Sequence, residues 1–480
     1  MTALIDPRQA QTFRFVRCDY RDGTAELVYA FDNGAELIER VRFAGAPPLP
    51  GERRQAFDAA LRLLHLIAGV SYYKAGVPAR IEIENGAIDA ATASLLDELY
   101  LHGLAEFAYR NGLDLRGKIE FPRDGARTSN SGDETSSLPS GQPGSGDFSA
   151  SASPPIRGRH DGGIGLPRRT LVPIGGGKDS LVAVEALKAN GIEATAVWVG
   201  ASPLIASVAA RTGLPVLNVG RELASVLFDY NRLGAYNGHI PVTAINSAIL
   251  VCAAVLYGFD SIVFANERSA SSATLEYEGR QVNHQWSKGW AFERAFAAHV
   301  HSHVAADLDC FSLLRPFSEL AVTRAFAGLG GAYFDAFSSC NRNFRILGPK
   351  PADRWCGQCP KCHFVFLALA PFLPKPRLLA IFGRNLLDDE AQAGGFDALI
   401  EYRDHKPFEC VGEASEARAA LAALAARPEW REDALVARFR EEIAPQLTAD
   451  SLPIEPWLRA SDEHGVPARF HGAIDVIRGA

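Results

Sequence analysis

The sequence has no excess of positive charge and no basic, apolar leader at its N-terminus. Its 49 lysines and arginines are outnumbered by 56 acidic residues, giving a net charge of −7, whereas a dedicated nucleic-acid-binding protein usually shows a basic surface. A secretory signal would begin with basic residues followed by an apolar stretch, and the opening MTALIDPRQAQTFRF lacks that pattern. We therefore expect a cytoplasmic protein whose partners do not include nucleic acid.

One long stretch, residues 240–259, has no charged residue and approaches the length of a membrane span. Pro241, Asn246 and Ser247 make its first half polar, however. We expect a buried helix that runs into a short strand at 261–265, and no membrane insertion.

Composition and periodicity divide the chain into five segments. Residues 1–121 alternate strand-like stretches with two helix-like ones, 53–68 and about 91–109, which indicates an independent α+β module. Residues 122–166 are rich in Ser, Gly and Pro and have almost nothing to bury, which predicts a disordered linker that lets the first module move. Residues 167–335 are the predicted nucleotide-binding domain, 336–370 a four-cysteine segment, and 371–480 a helical C-terminal region.

Short apolar runs alternate with helix-like stretches in the predicted nucleotide-binding domain. The runs at 170–174, 194–199, 215–219 and 262–265 have the length and composition of buried strands. Such alternation implies a parallel sheet with helices on both faces. The predicted fold class is therefore α/β, with a doubly wound parallel sheet.

A glycine-rich loop joins the first of these strands to the next helix, and its residues are Gly175, Gly176, Gly177, Lys178, Asp179 and Ser180. Glycines let backbone N–H groups approach a phosphate chain closely, and a helix N-terminus favours negative charge. The loop is not a Walker A motif, because Val172 stands where the first glycine belongs and Asp179 follows the lysine. An ordinary glycine turn before a helix is the alternative.

The loop is similar to the pyrophosphatase-type loop, S-G-G-x-D-S, of the ATP-dependent adenylating (PP-loop) enzymes, although Gly175 replaces its first serine. That resemblance implies ATP binding, cleavage between the α- and β-phosphates, and an adenine nucleotide alpha hydrolase-like sheet. Asp179 beside a polyanion would be repulsive alone, so we expect Mg²⁺ to accompany ATP there. The segments 239–246 and 266–269 are similar to those of 7-cyano-7-deazaguanine synthases, which share the loop and the fold.

Cysteine is scarce, and four of the eight cysteines lie in one segment. In a long cytoplasmic chain such residues favour free thiols or metal ligands over a disulfide framework. Cys356, Cys359 and Cys362 can surround one tetrahedral ion, and Cys340 can complete the set. Four thiolates leave no open coordination position, so the predicted zinc site is structural, as in the comparable site of the deazaguanine synthases. Buried thiols without metal are the alternative.

Several stretches together resemble one narrower family, the UDP-N-acetylmuramoyl-L-alanyl-L-glutamate epimerases of peptidoglycan synthesis. The resemblance extends from the first module to the last hundred residues and omits only the linker. In that family a triple glycine is the usual form of the loop. The matching stretches are 64–78, 172–180, 264–271, 282–293, 355–366 and 404–412.

The resemblance implies an isomerase that uses ATP and Mg²⁺ to invert the terminal L-glutamate of a UDP-activated muramoyl dipeptide, releasing AMP and pyrophosphate. A free carboxylate disfavours loss of the neighbouring α-proton, because the carbanion would form beside a negative charge; an acyl-adenylate removes that charge. Inversion then needs a base on one face and an acid on the other. The candidates, which the sequence leaves unranked, are Lys288, His284, His405 and Cys410.

Two other classes of function remain open. One is a different PP-loop adenylating enzyme, such as a nucleobase amidating ligase or a transfer-RNA thiolase, although the first module and the 404–412 segment are not expected there. The other is a non-catalytic nucleotide-binding sensor, which would need the glycines but not the polar segments 281–288 and 404–412. Those segments would then be solvated loops. The sequence leaves the oligomeric state open.

Overall fold

The computed structural model describes residues 6–123, 162–345, 348–449 and 452–480, so the predicted linker lies outside the described residues except at its two ends. The strands are β1 Thr12–Arg21, β2 Thr24–Phe31, β3 Leu37–Phe43, β4 Arg80–Ile83, β5 Thr170–Pro173, β6 Ala194–Val199, β7 Val216–Glu222, β8 Ser261–Phe264, β9 Leu275–Tyr277, β10 Arg280–Val282 and β11 Asp309–Ser312. The helices are α1 Arg54–Ala68, α2 Val70–Tyr73, α3 Ala90–Gly103, α4 Ala105–Asn111, α5 Lys178–Ala189, α6 Pro203–Arg211, α7 Val226–Arg232, α8 Val242–Tyr257, α9 Trp290–His303, α10 Glu319–Leu329, α11 Pro360–Leu369, α12 Lys375–Phe382, α13 Ala393–Leu399, α14 Ala414–Ala425, α15 Ala434–Arg438 and α16 His471–Gly479.

Nine strands form one continuous sheet in the order β11-β8-β5-β6-β7-β3-β2-β1-β4. The strands from β11 to β7 run parallel to one another. β7, β3, β2 and β1 then pair antiparallel, and β4 lies parallel to β1. β9 and β10 form a separate hairpin. The predicted α/β class with a parallel sheet is confirmed for β5, β6, β7, β8 and β11.

Helices cover both faces of the parallel strands. Because successive strand residues point to opposite sides of the sheet, neighbouring residues pack against different helices. Leu171 and Ile262 belong to one hydrophobic cluster, which includes α1 and α8. Their neighbours Val172 and Val263 belong to the other, which includes α5, α10 and α11. The two clusters give the sheet a buried core on each side.

The N-terminal region is not an independent module, and that prediction is wrong. β3 pairs with β7 in register from Arg40 opposite Glu222 to Phe43 opposite Val219, so the strands of both regions share one sheet. The buried Glu39 carboxylate accepts a hydrogen bond from Arg221 Nε at 2.7 Å across this junction. A parallel sheet that stopped at β7 would expose an unpaired edge, and β3 satisfies that edge. Local patterning predicts that a segment is a strand but not which strand it joins.

The charge-free stretch forms α8, which is buried over most of its length and packs against α1. It ends at Gly258 in the left-handed conformation (φ 75°), which glycine adopts without strain, and leads into β8. The predicted buried helix followed by a strand is confirmed. Among the described residues, no helix combines the length and apolar character that crossing a membrane requires.

One predicted helix, 91–109, is in fact two. α3 ends at Gly103 and α4 begins at Ala105, because Leu104 leaves helical geometry (φ −101°, ψ 9°). The second helix, α4, carries the buried Glu106. The C-terminal region is helical as expected, from α12 to α16.

Candidate active site

The glycine loop leads from β5 into α5. Gly176 has φ 83°, and a Cβ there would lie 2.8 Å from Leu204 Cδ2. A Cβ on Gly177 would lie 2.7 Å from Ser339 Oγ, whereas Gly175 faces open space. None of the described side chains caps the N-terminus of α5. The first N–H groups of this helix are thus left for an anion, which is the geometry that phosphate binding uses.

Three carboxylates meet beside the loop. One oxygen from each of Asp179, Glu267 and Glu319 lies within 4.8 Å of the others. The buried Lys178 donates to Glu319 Oε2 at 2.9 Å and also to Asp179. Burial and the nearby Asp179 charge raise the pKa of Glu319 to about 7, and the same two causes raise the pKa of Glu267. Carboxylate oxygens at this spacing suit Mg²⁺, which usually takes one or two of them together with substrate phosphates.

A second cluster surrounds Cys410. Lys288 Nζ lies 3.4 Å from the Cys410 Sγ, and His284 interacts electrostatically with the same thiol. Burial would raise the pKa of the thiol, but Lys288 and His284 together lower it to about 6. Glu106 Oε2 accepts a hydrogen bond from His284 Nδ1 at 2.5 Å. Burial opposes the charged imidazole, but Cys410 and Glu106 raise the pKa of His284 to about 9. Near pH 7 the sulfur is therefore a thiolate between two cations, the state in which cysteine acts as a base or nucleophile.

A neutral histidine stands next to this pair. The ring of His239 lies 4.2 Å from that of His284, and burial and the His284 charge lower its pKa to about 4. The loop that carries His239 is held by Lys74, which donates to Asn237 Oδ1 at 2.5 Å and to the Gly238 carbonyl at 3.2 Å. Lys74 thus positions a loop at the site.

The two clusters are joined by one buried arginine. Arg315 donates to the Glu267 carbonyl at 2.7 Å, to the Lys288 carbonyl at 2.5 Å and to Glu293 Oε2 at 2.7 Å. It therefore fixes the backbone of the acidic trio and the backbone of the Cys410 cluster relative to each other. The charges of Glu267 and Asp179 also raise the pKa of Lys288, so the acidic trio and the Cys410 cluster are close enough to interact electrostatically.

The structure brings three of the four candidate proton carriers together, Lys288, His284 and Cys410. The fourth, His405, is exposed and lines an adjoining cavity of about 330 Å³. His405 thus stands apart from the cluster, and the catalytic role of all four residues stays a prediction.

The four cysteines converge as the zinc prediction requires. The Sγ–Sγ distances are 3.5 Å for Cys359–Cys362, 3.7 Å for Cys356–Cys362 and 4.0 Å for Cys340–Cys359. Sulfurs at the corners of a tetrahedron around zinc, each about 2.3 Å from it, lie about 3.8 Å apart. The donor set and its spacing therefore fit one zinc ion.

This segment also supports the glycine loop. The Ser338 N–H donates to the Gly176 carbonyl at 2.9 Å, two residues before the first ligand cysteine. On the other side of the cysteine cluster, Lys361 in the first turn of α11 acts electrostatically on Asp179 and Cys410. A structural zinc would hold both contacts in place without taking part in chemistry.

Sequence reasoning missed five site residues: Glu106, His239, Glu267, Glu319 and Lys361. His239 and Glu267 lie in segments already noted for their resemblance to deazaguanine synthases, so a signal for them existed. Glu106 and Glu319 lie in helices whose local pattern resembles that of any amphipathic helix. Only their position in the fold distinguishes them from surface carboxylates.

Comparison with known proteins identifies the family of the chain. The family model described as the MurL N-terminal domain matches residues 4–313, and the model of the MurL C-terminal domain matches residues 336–452. A relative from Xanthomonas oryzae pv. oryzae, named UDP-N-acetyl-alpha-D-muramoyl-L-alanyl-L-glutamate epimerase, is 57% identical over 465 residues, which cover 96% of each chain. The chain belongs to the MurL epimerase family. The resemblance stated from sequence and the enzyme class, an isomerase, are thereby confirmed.

Two further relatives have the same name. The one from Salinispora tropica is 40% identical over 461 residues, or 94% of this chain and 91% of its own. The one from Micromonospora sp. is 38% identical over 470 residues, or 97% of each chain. The MurL N-terminal model spans both the first region and the parallel strands, as the shared sheet does.

Proposed function

We propose that this protein epimerises the terminal L-glutamate of UDP-N-acetylmuramoyl-L-alanyl-L-glutamate in the cytoplasm, through an acyl-adenylate, for peptidoglycan synthesis. One observation carries the proposal: a cysteine poised as a thiolate lies beside an acidic trio and a phosphate-type loop, in a chain 57% identical to an enzyme of that name. The loop serves activation of a carboxylate, and the thiolate serves proton transfer. Neither feature alone would support an ATP-dependent epimerase.

The glycine loop and the acidic trio activate the substrate carboxylate, and we take the loop to be of the PP-loop type. The glycines and the N-terminus of α5 bind the phosphates of ATP. Asp179, Glu267 and Glu319 would hold Mg²⁺, which supplies charge neutralisation for the departing pyrophosphate. The α-carboxylate of the terminal glutamate attacks the α-phosphate, an acyl–phosphate bond forms, and the bond to pyrophosphate breaks. The carboxyl group loses its negative charge in this step.

The Cys410 cluster carries out the proton transfer. The thiolate takes the α-proton of the activated glutamate, and the electron pair moves onto the adjacent carbonyl. Lys288 and His284 stabilise the thiolate before transfer. Reprotonation on the opposite face, by one of the other three candidates, inverts the centre, and water then releases AMP and the D-glutamyl product.

The cysteine cluster supports the same function indirectly. We propose that Cys340, Cys356, Cys359 and Cys362 bind one zinc ion, because their sulfur spacing fits a tetrahedral site. Elemental analysis of the purified protein should then find about one zinc per chain. Stable, active protein without zinc would contradict this assignment.

The proposed function is tested by two measurements on the unaltered enzyme. ATP–pyrophosphate exchange should depend on the muramoyl dipeptide, which reports adenylation. The dipeptide should also incorporate solvent deuterium at its α-carbon, which reports proton transfer. Exchange without deuterium incorporation would favour an amidating or thiolating ligase, and neither signal would favour a nucleotide sensor.

A further inference from the structure

The cavity next to the Cys410 cluster contains a lysine without a counter-ion. Lys406 lines this cavity of about 330 Å³, and only 5% of its surface is exposed. It forms no hydrogen bond or ion pair with any residue in the described parts of the chain. Burial lowers its pKa, against the charges of four glutamates that do not contact it: Glu413, Glu401, Glu416 and Glu267. A buried ammonium without a partner costs stability, so an anionic ligand is the natural complement.

The carboxylates that line the cavity are already engaged. Asp404 Oδ1 accepts a hydrogen bond from the His405 N–H at 2.7 Å, and Glu409 Oε2 accepts one from Asn341 Nδ2. Neither carboxylate forms a hydrogen bond or ion pair with Lys406 in the described parts of the chain.

Another part of the cavity wall comes from α4 and combines a cation with aromatic rings. The Arg110 guanidinium lies over the Phe408 ring at 4.9 Å and donates to Glu106 at 2.6 Å. Tyr109 packs against the same Phe408 ring with centroids 5.5 Å apart. The wall thus offers flat apolar surface beside positive charge.

We propose that this cavity is a substrate subsite in which Lys406 binds an anionic arm of the muramoyl dipeptide, other than the carboxylate that is activated. The assignment rests on the proposed function, because it takes its ligand from that reaction. Lys406 lies four residues before Cys410 on one loop, so the arm enters beside the reacting carbon. Two groups of the substrate have this chemistry, the γ-carboxylate of the glutamate and the diphosphate of the UDP moiety.

The test is calorimetric binding without ATP, so that no turnover is needed. Three ligands are compared: the full UDP-muramoyl dipeptide, its γ-carboxamide analogue, and the muramoyl dipeptide without UDP. Lys406→Met should weaken binding of the full substrate about tenfold or more, as expected for a lost hydrogen bond to a charged group. If Lys406 binds the γ-carboxylate, the substitution should not weaken binding of the γ-carboxamide analogue. If Lys406 binds the diphosphate, the substitution should not weaken binding of the muramoyl dipeptide without UDP.

The control is Lys188→Met, which removes an exposed lysine on α5 that pairs with Glu185. It should bind all three ligands as the unaltered protein does. Lys406→Met should melt no lower than the unaltered protein, because it removes a buried charge without a counter-ion; if it does melt lower, Lys406→Gln is used instead. Unchanged affinity for all three ligands, or equal loss for all three, would overturn the subsite. Failure of ATP–pyrophosphate exchange would instead overturn the proposed function.

Discussion

The two halves of the candidate site are built in opposite ways. The phosphate cradle of the first half comes from one contiguous segment, 175–180, between a strand and a helix, and only the carboxylates of Glu267 and Glu319 reach it from elsewhere. The Cys410 half takes Glu106 from α4, His284 from the segment after the hairpin, and Cys410 from a loop near the C-terminal helices. The cradle is local in sequence, whereas the Cys410 half exists only after the sheet and its helices are assembled.

This difference shows where a sequence motif is sufficient and where it is not. A phosphate loop works through backbone N–H groups, so consecutive residues can supply the whole cradle. A shifted thiol pKa works through side-chain charges at close range, which can come from any part of the chain. The N-terminal region matters for this reason, since its Glu106 completes the second half.

The largest expected effect is on the local half. Asp179→Ala should reduce AMP production by at least about 10³-fold, because the trio loses the carboxylate nearest the loop. Epimerisation should disappear with it, since activation precedes proton transfer. The measurement is AMP release with the dipeptide, with Asp229→Ala on the surface helix α7 as control. Unchanged AMP release with a normal circular dichroism spectrum would break the assignment of the loop.

Cys410→Ser should separate the two halves. Epimerisation should fall about 10²–10⁴-fold, the usual contribution of a positioned acid or base, while dipeptide-dependent AMP release continues. Both rates are measured on the same preparation, with Cys18→Ser in β1 as the control. Epimerisation at the unaltered rate would remove Cys410 from the candidates, and parallel loss of both activities would show that the halves are not separable.

Glu106→Gln should have a smaller effect that depends on pH. Without this carboxylate the pKa of His284 falls, so the imidazole loses its proton at a lower pH and stabilises the thiolate less. The Cys410 pKa, about 6 with Lys288, His284 and Lys361 facing it, should therefore rise. Epimerisation near neutral pH should drop about tenfold, as for one lost charge-assisted hydrogen bond.

The measurement for this variant is the rate of iodoacetamide labelling of Cys410 against pH, followed by mass spectrometry. The midpoint should move to higher pH. Glu98→Gln changes an exposed carboxylate on the neighbouring helix α3 and should leave the midpoint in place. If the labelling midpoint of Glu106→Gln equals that of the unaltered protein, Glu106 does not influence the Cys410 pKa, and the cluster consists only of residues after 280.

The smallest effect is expected at Gly175. Gly175→Ser should change the KM for ATP less than about threefold, because its Cβ would meet open space. Gly176→Ala is the matched contrast, since a side chain at φ 83° costs about 1–2 kcal/mol and would also press on Leu204. Steady-state kinetics on both variants tests this. Equal impairment would mean that the first glycine is needed for a reason other than space.

Much of the fold could be predicted from local pattern. The strands at 170–174 and 194–199, the buried helix after residue 242 and the four cysteines all lie where periodicity and spacing indicated. Their signals are short-range: alternation along a strand, apolar content along a helix, ligand spacing along a loop. The pairing of β3 with β7 is between residues about 180 positions apart, and no local pattern specifies it.

By itself, the sequence determined the glycine loop, the strand–helix order around it, the cysteine set and the family, because each depends on residues that are neighbours along the chain or on the match of whole segments. Only the tertiary structure decided that the N-terminal strands extend the same sheet, that Glu106 reaches His284, and that Cys410 lies between two cations. The physical reason is that charge and burial act through space. The pKa of Cys410 is lowered by Lys288, which lies 122 positions away in the chain and which the fold places 3.4 Å from the sulfur.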